Sequence, residues 1–236
     1  MKEIRYAKVN GESIPVVISD ETEALLAAKA DGRAIIGLAG MDGNPAEFAL
    51  ERLEDADEEI LERAARRHLG LPWTICVTKR LIIREIFADD YEAIWENQVG
   101  TGFGTIEKLE AYTKNQYRFY GFGFWALIKQ DSRELVGVAG LTIPRDWSGE
   151  GSWFSLKLPP PEDQEEPFED ALELGYHLFL PWRRMGYARE ACLAILEYGR
   201  LQLGVSNYTA WIRKGNLASE KFAESLGFVR EGNGGS

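Results

Sequence analysis

The stretch from Leu172 to Gly204 constrains the fold more than any other, because it joins a strand pattern to a long helix pattern through a short basic turn. Side chains alternate over Leu172–Phe179, which predicts a strand. One face of this strand carries Leu172, Leu174, Tyr176 and Leu178, and the other carries Glu173, Gly175 and His177. Apolar residues then recur at helical spacing, which predicts a helix from about Ala188 to Gln202 with one face buried.

The turn between these two elements has the sequence Arg183-Arg184-Met185-Gly186-Tyr187-Ala188. The first N–H groups of a helix have no partner inside the helix, and the helix dipole adds positive potential there. Gly186 and Ala188 let a ligand approach the backbone closely, and two guanidinium groups lie beside them. The turn is therefore predicted to bind an anion such as a phosphate.

Composition and charge narrow the classes of protein that fit. The 236 residues suit one large domain or two small ones, and the net charge of −11 argues against a nucleic-acid-binding role while permitting a basic or amine substrate. Cys76 and Cys192 are predicted to be buried free thiols of a reducing cytosol. The two histidines and the lack of a paired-cysteine motif argue against a metal site. No apolar run is long enough to span a membrane, so we expect a cytoplasmic protein without a membrane partner.

Residues 1–72 read as a separate small α/β domain to which we assign no function. The pattern predicts a strand at Ile14–Ser19, a helix at Glu21–Ala30 that Asp20 caps, and a second strand at Ala34–Leu38. A strand–helix–strand order favours a parallel pair. A charged helix follows at Asp55–Leu69, and the Gly/Pro break after it marks the start of a second domain, residues 73–236.

The second domain mixes strands and helices around the opening stretch. Residues 144–170 are expected to be irregular, and Asn216 is expected to cap the last helix. The other predicted elements are a strand at Thr78–Ile86, a helix starting at Asp89-Asp90, a helix at Ile106–Tyr117, an antiparallel hairpin of Gly123–Ile128 with Leu135–Thr142, and a strand at Tyr208–Ile212.

From Thr78 onward the chain resembles the GNAT family of acetyl-CoA-dependent N-acetyltransferases, and most closely the branch that acetylates ribosomal-protein N-termini (RimJ/RimL-like). Three segments carry the resemblance. Thr78–Arg84 is similar to the opening strand of that branch, and Arg183–Ala188 matches the family's R/Q-x-x-G-x-G/A loop. Asn216–Ser219 followed by Glu224–Phe228 matches the N-x-x-S…E-x-L-G-F helix. The order of these segments makes the resemblance more specific than the loop motif alone.

The resemblance implies an α+β fold with a mixed, mostly antiparallel sheet that splays into a V and is flanked by helices. It also implies acetyl-CoA as co-substrate, bound in the opening of the V. The pyrophosphate would lie on the N–H groups of Met185, Gly186, Tyr187 and Ala188, with Arg183 or Arg184 adding charge. The strand carrying Leu174, Tyr176 and Leu178 would bind the pantetheine arm by β-addition. A backbone N–H near Glu173–Tyr176 would then stabilise the oxyanion.

Acetyl transfer to an amine needs a base, because a protonated amine is not nucleophilic. Glu173 and His177 are the alternatives for this role, and each is also consistent with an ordinary strand residue. Many GNAT enzymes reprotonate the CoA thiolate with a tyrosine on the last helix, but Ala223 stands at that position here. The closer branch is thought to use the helix serine, or the asparagine with water, which points to Ser219 and Asn216. Ser219 is equally consistent with an ordinary polar residue of a first helical turn.

Two further questions stay open at the level of sequence. The family continues through two strands after the last helix, but only Val229-Arg230-Glu231 and a Gly-rich segment follow here, so either the sequence is truncated or a strand from elsewhere completes the sheet. An incomplete edge favours a homodimer. The acidic run Glu162–Asp170, near Trp147 and Trp153, would attract a cationic amine or a basic peptide N-terminus, unless it is a solvated loop. An acetyl-CoA-binding regulatory module without turnover is the alternative function.

Overall fold

The computed structural model describes residues 2–99, 103–145, 149–161 and 170–231. The chain forms two compact units, residues 1–73 and 74–236. The sequence places the boundary between its two domains one residue earlier.

The N-terminal unit is a four-stranded sheet in the order β1-β2-β3-β4 with two helices. Its elements are β1 (Lys2–Val9), β2 (Glu12–Ser19), α1 (Thr22–Ala30), β3 (Ala34–Leu38), β4 (Ala49–Leu50) and α2 (Glu58–His68). Strands β2 and β3 run parallel, as the sequence predicts. The apolar faces of β1, β2 and β3 pack on α2 through residues such as Ile18, Ile36 and Leu61.

Two features of this unit differ from the sequence prediction. Strand β1 was not predicted, although Asn10 and Gly11 both have positive φ (51° and 87°) and form the kind of tight turn that Asn-Gly favours between antiparallel strands. The prediction that Asp20 caps α1 is wrong. Glu21 occupies the N-cap position without a side-chain cap bond.

In the described residues, the C-terminal unit is an eight-stranded sheet in the order β12-β9-β11-β10-β8-β7-β6-β5, with four α-helices. Its elements are β5 (Thr74–Val77), β6 (Leu81–Glu85), α3 (Tyr91–Glu96), α4 (Ile106–Tyr120), β7 (Phe124–Lys129), β8 (Leu135–Thr142), β9 (Gly151–Lys157), β10 (Leu172–Leu178), α5 (Tyr187–Gln202), β11 (Asn207–Arg213), α6 (Leu217–Ser225) and β12 (Val229–Arg230). Strands β10 and β11 run parallel, and every other neighbouring pair in this sheet is antiparallel. The predicted mixed, mostly antiparallel sheet is confirmed.

Helices cover both faces of this sheet. Val138 of β8 and Ala126 of β7 belong to a buried cluster with residues of α3 and α4. Helix α5 packs against β8 and β10. No helix in the described parts of the chain is long and apolar enough to cross a bilayer.

Two parts of the C-terminal unit differ from expectation. The segment predicted as one strand, Thr78–Ile86, contains a tight turn closed by the bond from the Thr78 N–H to the Leu81 carbonyl (2.8 Å), so the chain forms the hairpin β5–β6. The segment predicted as irregular, 144–170, contains strand β9, which pairs with β11 on one side and β12 on the other. Trp153 lies on β9. Trp147 and residues 162–169 of the acidic run lie outside the described residues.

Candidate active site

The sheet opens between its two parallel strands. Strands β10 and β11 are paired only at Leu172↔Tyr208 and Glu173↔Thr209. Beyond this point β10 keeps its ladder with β8 as far as Leu178, and β11 keeps its ladder with β9. The facing edges of β10 and β11 therefore diverge, which leaves backbone N–H and C=O groups for an extended ligand to bind.

A cavity of about 460 Å³ lies in this opening. Six residues predicted as site residues line it: Glu173, Leu174, Tyr176, His177, Asn216 and Ser219. They come from β10 and from the start of α6, which are more than 35 residues apart in the sequence. Arg183–Ala188, the predicted phosphate-binding turn, are not among the lining residues. They lie after β10, at the start of α5.

Glu173 lies at the point where β10 and β11 separate. Its backbone pairs with Thr142 of β8 and with Thr209 of β11. The residue is 6% exposed, yet it lines the cavity. A buried carboxyl group needs hydrogen-bond partners, so Glu173 is chemically unlike a solvated glutamate on a strand end.

His177 is the penultimate residue of β10 and lies on the same face as Glu173. The residue is partly buried. Burial and the nearby positive charge of Arg183 lower the pKa of His177, and a hydrogen bond to the backbone of Asn97 opposes them. The imidazole is thus neutral over a wider pH range than a solvated histidine, and a neutral imidazole can accept a proton.

The start of α6 faces Tyr176 across the cavity. The Asn216 side chain accepts a hydrogen bond from the Ser219 N–H (3.2 Å), which confirms Asn216 as the N-cap. The Ser219 and Tyr176 hydroxyl oxygens are 3.3 Å apart, and the Tyr176 ring lies on Phe222 with a centroid distance of 4.7 Å. Ala223, at the position of the family's tyrosine acid, is buried and lines the cavity.

The predicted phosphate-binding turn leads directly into α5. Gly186 is the N-cap, with a φ of 83° that favours glycine, and Tyr187 starts the helix. Arg184 and Met185 are exposed. The first-turn N–H groups lack partners inside the helix, so the backbone here suits an anion.

The two arginines of the turn differ in their contacts. Arg183 Nε donates to the Leu178 carbonyl (2.8 Å) and so fastens the end of β10 to the turn. Arg184 is exposed and has a positive φ of 61°. Because one Arg183 nitrogen is hydrogen-bonded within the protein, the structure distinguishes Arg183 from Arg184, whereas the sequence alone does not.

A third arginine, not predicted from the sequence, holds this turn in place. Arg80 Nη1 donates to the Met185 carbonyl (2.9 Å), and its guanidinium lies 4.4 Å from the Tyr187 ring centroid. Arg80 Nε and N–H both donate to the Glu190 carboxylate at 2.7 Å, which the Thr78 hydroxyl also contacts at 2.6 Å. We call Thr78, Arg80 and Glu190 the turn clasp. Arg80 lies in the Thr78–Arg84 segment that resembles the family's opening strand. Its partner Glu190 is 110 residues away in the sequence, so no local pattern predicts the contact.

Several other lining residues were not predicted as site residues either, among them Phe124, Arg145 and Trp211. Phe124 of β7 covers Gly175, because a Cβ at Gly175 would lie 2.7 Å from the Phe124 ring. Arg145, which follows β8, and Trp211 of β11 also line the cavity. Together they make part of the wall aromatic and part of it basic.

The residues of this opening fit acetyl-CoA. The diverging strand edges suit an amide-containing arm, the α5 N-terminus suits a pyrophosphate, and the cavity holds both a buried carboxyl group and a pair of hydroxyl groups. Among the described residues, no cluster of three or more His, Cys, Asp or Glu side chains is placed to hold a metal ion.

Comparison with known proteins agrees with this geometry. The family model of the acetyltransferase (GNAT) domain matches residues 80–229. The uncharacterized N-acetyltransferase YoaA of Bacillus subtilis (strain 168) is 25% identical over 67% of this chain and 84% of its own length. The uncharacterized N-acetyltransferase YjdG of the same organism is 28% identical over 46% of this chain and 52% of its own length.

Among solved structures, the ribosomal-protein acetyltransferase RimL in complex with coenzyme A superposes with a TM-score of 0.50 at 15% identity. The match covers 68% of this chain and 86% of that one. This likeness shows the same fold, and the family match covers well over half of the chain. The chain therefore belongs to the GNAT acetyltransferase family: it is an N-acetyltransferase, and acetyl-CoA is its co-substrate.

Proposed function

We propose that this enzyme transfers the acetyl group of acetyl-CoA to a primary amine, either a protein N-terminus or a small-molecule amine, by direct attack. The observation that carries the proposal is the cavity between β10 and β11, where the buried carboxyl group of Glu173 and the hydroxyl groups of Tyr176 and Ser219 face one space. The attacking nitrogen forms a C–N bond to the thioester carbonyl, and the C–S bond breaks. One proton must leave the nitrogen, and one must reach the sulfur.

Glu173 is our proposed base. It lies at the closed end of the opening, where a ligand between the strands would end, and it lines the cavity although it is 6% exposed. His177 lies on the same strand face and lines the same cavity. Because burial and Arg183 keep it neutral, it is the second proposed base and a route for the proton to solvent.

The co-substrate is proposed to bind along the route from the α5 N-terminus into the cavity. The N–H groups of Met185–Ala188 would hold the pyrophosphate, with Arg184 adding charge and Arg80 bracing the turn. The free edge of β10 beyond Glu173, including Leu174, Tyr176 and Leu178, would pair with the pantetheine arm.

The acceptor is proposed to enter on the face of β10 that carries Glu173 and His177. This face lies on the side of α3 and α4, since His177 pairs with Val138 of the cluster that these helices form. Arg145 lines the cavity, so part of its described wall is basic. A peptide or small amine that also bears an anionic group fits this wall by charge.

One experiment distinguishes acetyl transfer from the alternative, binding of acetyl-CoA without turnover. The protein is mixed with acetyl-CoA, a panel of amines and peptides, and a thiol reagent, and thermal unfolding is followed in parallel. Release of CoA with an acceptor, lost in Glu173→Gln, supports the proposal. Stabilisation by acetyl-CoA without release with any acceptor supports the alternative, a regulatory binding module. A saturating ligand at a hundred times its Kd stabilises by about 2.7 kcal/mol, so binding is readily detected.

A homodimer and an independent N-terminal domain complete the proposal. Strand β12 is one edge of the sheet and, in the described residues, consists of Val229 and Arg230, both exposed, so a second copy would have a short edge to pair with. Sedimentation as a strict monomer at high concentration contradicts the dimer. Residues 1–73 have their own sheet and core, and we propose that they fold as a domain separate from the acetyl-transfer unit.

A further inference from the structure

One polar contact crosses the opening of the sheet. The Tyr176 hydroxyl of β10 lies 3.3 Å from the Ser219 hydroxyl of α6, and either oxygen can be the donor. The Tyr176 ring is fixed by Phe222, at 4.7 Å between centroids. Ser219 is fixed in turn because its N–H donates to the Asn216 side chain. Both hydroxyl groups are therefore held by neighbours on α6 and face the cavity that they line.

The position on α6 where a tyrosine would be expected holds no hydroxyl. Ala223 is 5% exposed and lines the cavity one helical turn after Ser219. Tyr176 brings a phenol to the same space from the opposite side of the opening. A phenol is a much better proton donor than the hydroxyl group of serine, so the two residues of this pair are not equivalent.

The environment of Tyr176 keeps it protonated. Burial raises the pKa of Tyr176, and the contact with Ser219 opposes that rise. The group therefore remains an O–H donor throughout the neutral range. If Ser219 donates to the phenol oxygen, the phenol O–H is left to donate to a ligand in the cavity.

Resting on the proposed acetyl transfer, we propose that Tyr176 is a catalytic residue whose hydroxyl donates a hydrogen bond to the sulfur of the leaving CoA thiolate, and that Ser219 is the positioning residue that orients it. As the C–N bond forms and the C–S bond breaks, the bonding electron pair moves onto sulfur. The Tyr176 O–H stabilises that charge by donating to it. The sulfur then takes a proton from solvent through the hydroxyl pair, while the acceptor's proton leaves through the base.

The first test is the variant Tyr176→Phe, which removes only the hydroxyl and keeps the ring on Phe222. We expect kcat to fall roughly a hundredfold to a thousandfold, the range for the loss of one donor to a developing charge. The Kd for acetyl-CoA should stay within about twofold, because the strand edge and the α5 turn are intact. Tyr120→Phe is the matched control. Tyr120 is exposed at the end of α4, does not line the cavity, and should keep wild-type kcat.

The second test is spectroscopic and uses CoA alone. The pKa of the bound CoA thiol is measured by following the ultraviolet absorbance of the thiolate as the pH is raised. Tyr176 should lower the pKa of the bound thiol in the wild-type enzyme, and Tyr176→Phe should raise it towards that of free CoA. A residue that only supports the fold would not move this value. Ser219→Ala should shift it in the same direction by a smaller amount, and this variant also serves if Tyr176→Phe does not fold.

The outcomes separate the two proposals. If wild-type protein releases no CoA with any amine, the proposed function fails. If it does turn over but Tyr176→Phe retains wild-type kcat and an unchanged thiol titration, only the role of Tyr176 fails. A larger loss of kcat in Ser219→Ala than in Tyr176→Phe also overturns the assignment, since it would make Ser219 the principal donor.

Discussion

The turn clasp should be a measurable determinant of both stability and acetyl-CoA binding. The Glu190 carboxylate accepts three hydrogen bonds, from the Thr78 hydroxyl and from the N–H and Nε of Arg80, at 2.6–2.7 Å. Glu190→Ala leaves all three donors without this acceptor. Each such bond to a charged group contributes about 1.5–3 kcal/mol when buried. The Arg80 side chain is 40% exposed, so water replaces part of the loss. We expect a decrease of about 2–3 kcal/mol in the free energy of unfolding.

A matched control is available on the same helix. Glu197 is 52% exposed and forms an ion pair with Arg200 three residues later. Glu197→Ala removes the same atoms from α5, but a solvated pair of this kind contributes only about 0–1 kcal/mol. Denaturant unfolding of the two variants and the wild-type protein gives the comparison. If Glu190→Ala is no more destabilising than Glu197→Ala, the clasp is not a structural unit and the reasoning is wrong.

The same variants make a prediction about pH. Burial opposes ionisation of Glu190, but the hydrogen bonds from Thr78 and Arg80 outweigh it, and the pKa of Glu190 is lowered. A carboxyl group with a lowered pKa in the folded state stabilises above its ordinary pKa, and this contribution is lost as the pH falls through the folded-state value. The stability gap between wild type and Glu190→Ala should therefore narrow on acidification. Since Arg80 also donates to the Met185 carbonyl, Glu190→Ala should weaken acetyl-CoA binding as well.

Three further changes test the other parts of the site. Gly186→Ala places a side chain at a positive φ of 83° in the phosphate-binding turn, which costs roughly 1–2 kcal/mol, and it should raise the KM for acetyl-CoA. Gly11→Ala, at a φ of 87° in the β1–β2 turn, is the equally strained control and should leave the KM for acetyl-CoA unchanged. If His177 is the base, the rate should rise with pH through a pKa below the ordinary histidine value, and His177→Gln should abolish this rise in the pH–rate profile. If the rise survives in His177→Gln, another residue is the base. Arg145→Ala should raise the KM of an anionic acceptor and leave the KM for acetyl-CoA unchanged, and the reverse pattern would place Arg145 on the co-substrate side.

The sequence predicts well those parts of the site that local patterns and the family motif determine. The alternation in β10 places Glu173 and His177 on one face, and the capping preference of asparagine correctly starts α6. The order of the family motifs along the chain predicts that β10 and α6 contribute to the same ligand site. These features depend on residues close together in the chain or on a resemblance that spans the whole domain.

The parts that the sequence did not predict depend on contacts between distant segments. Arg80 and Glu190 are ordinary exposed charges in their local patterns, and only the folded chain shows that they meet. Tyr176 was predicted to bind the co-substrate through its strand edge, whereas the contact of its hydroxyl with Ser219 depends on how far the sheet opens. Strand β9 has a short alternating pattern that proline-rich and acidic neighbours obscure, and it becomes a strand because β11 offers it an edge.

Strand β9 also bears on whether the site needs a second copy of the chain. It pairs with β11 along all seven of its residues, from Asn207↔Lys157 to Arg213↔Gly151, and its Phe154 is fully buried. Strand β9 precedes β10 and β11 in the chain and occupies the outer edge of β11. Because β9 covers the outer edge of β11, the inner edge is held facing the cavity without help from a partner. Specific activity should therefore stay constant as the protein is diluted through the dissociation of the proposed dimer. An activity that falls on dilution in step with dissociation would show that a partner does complete the site.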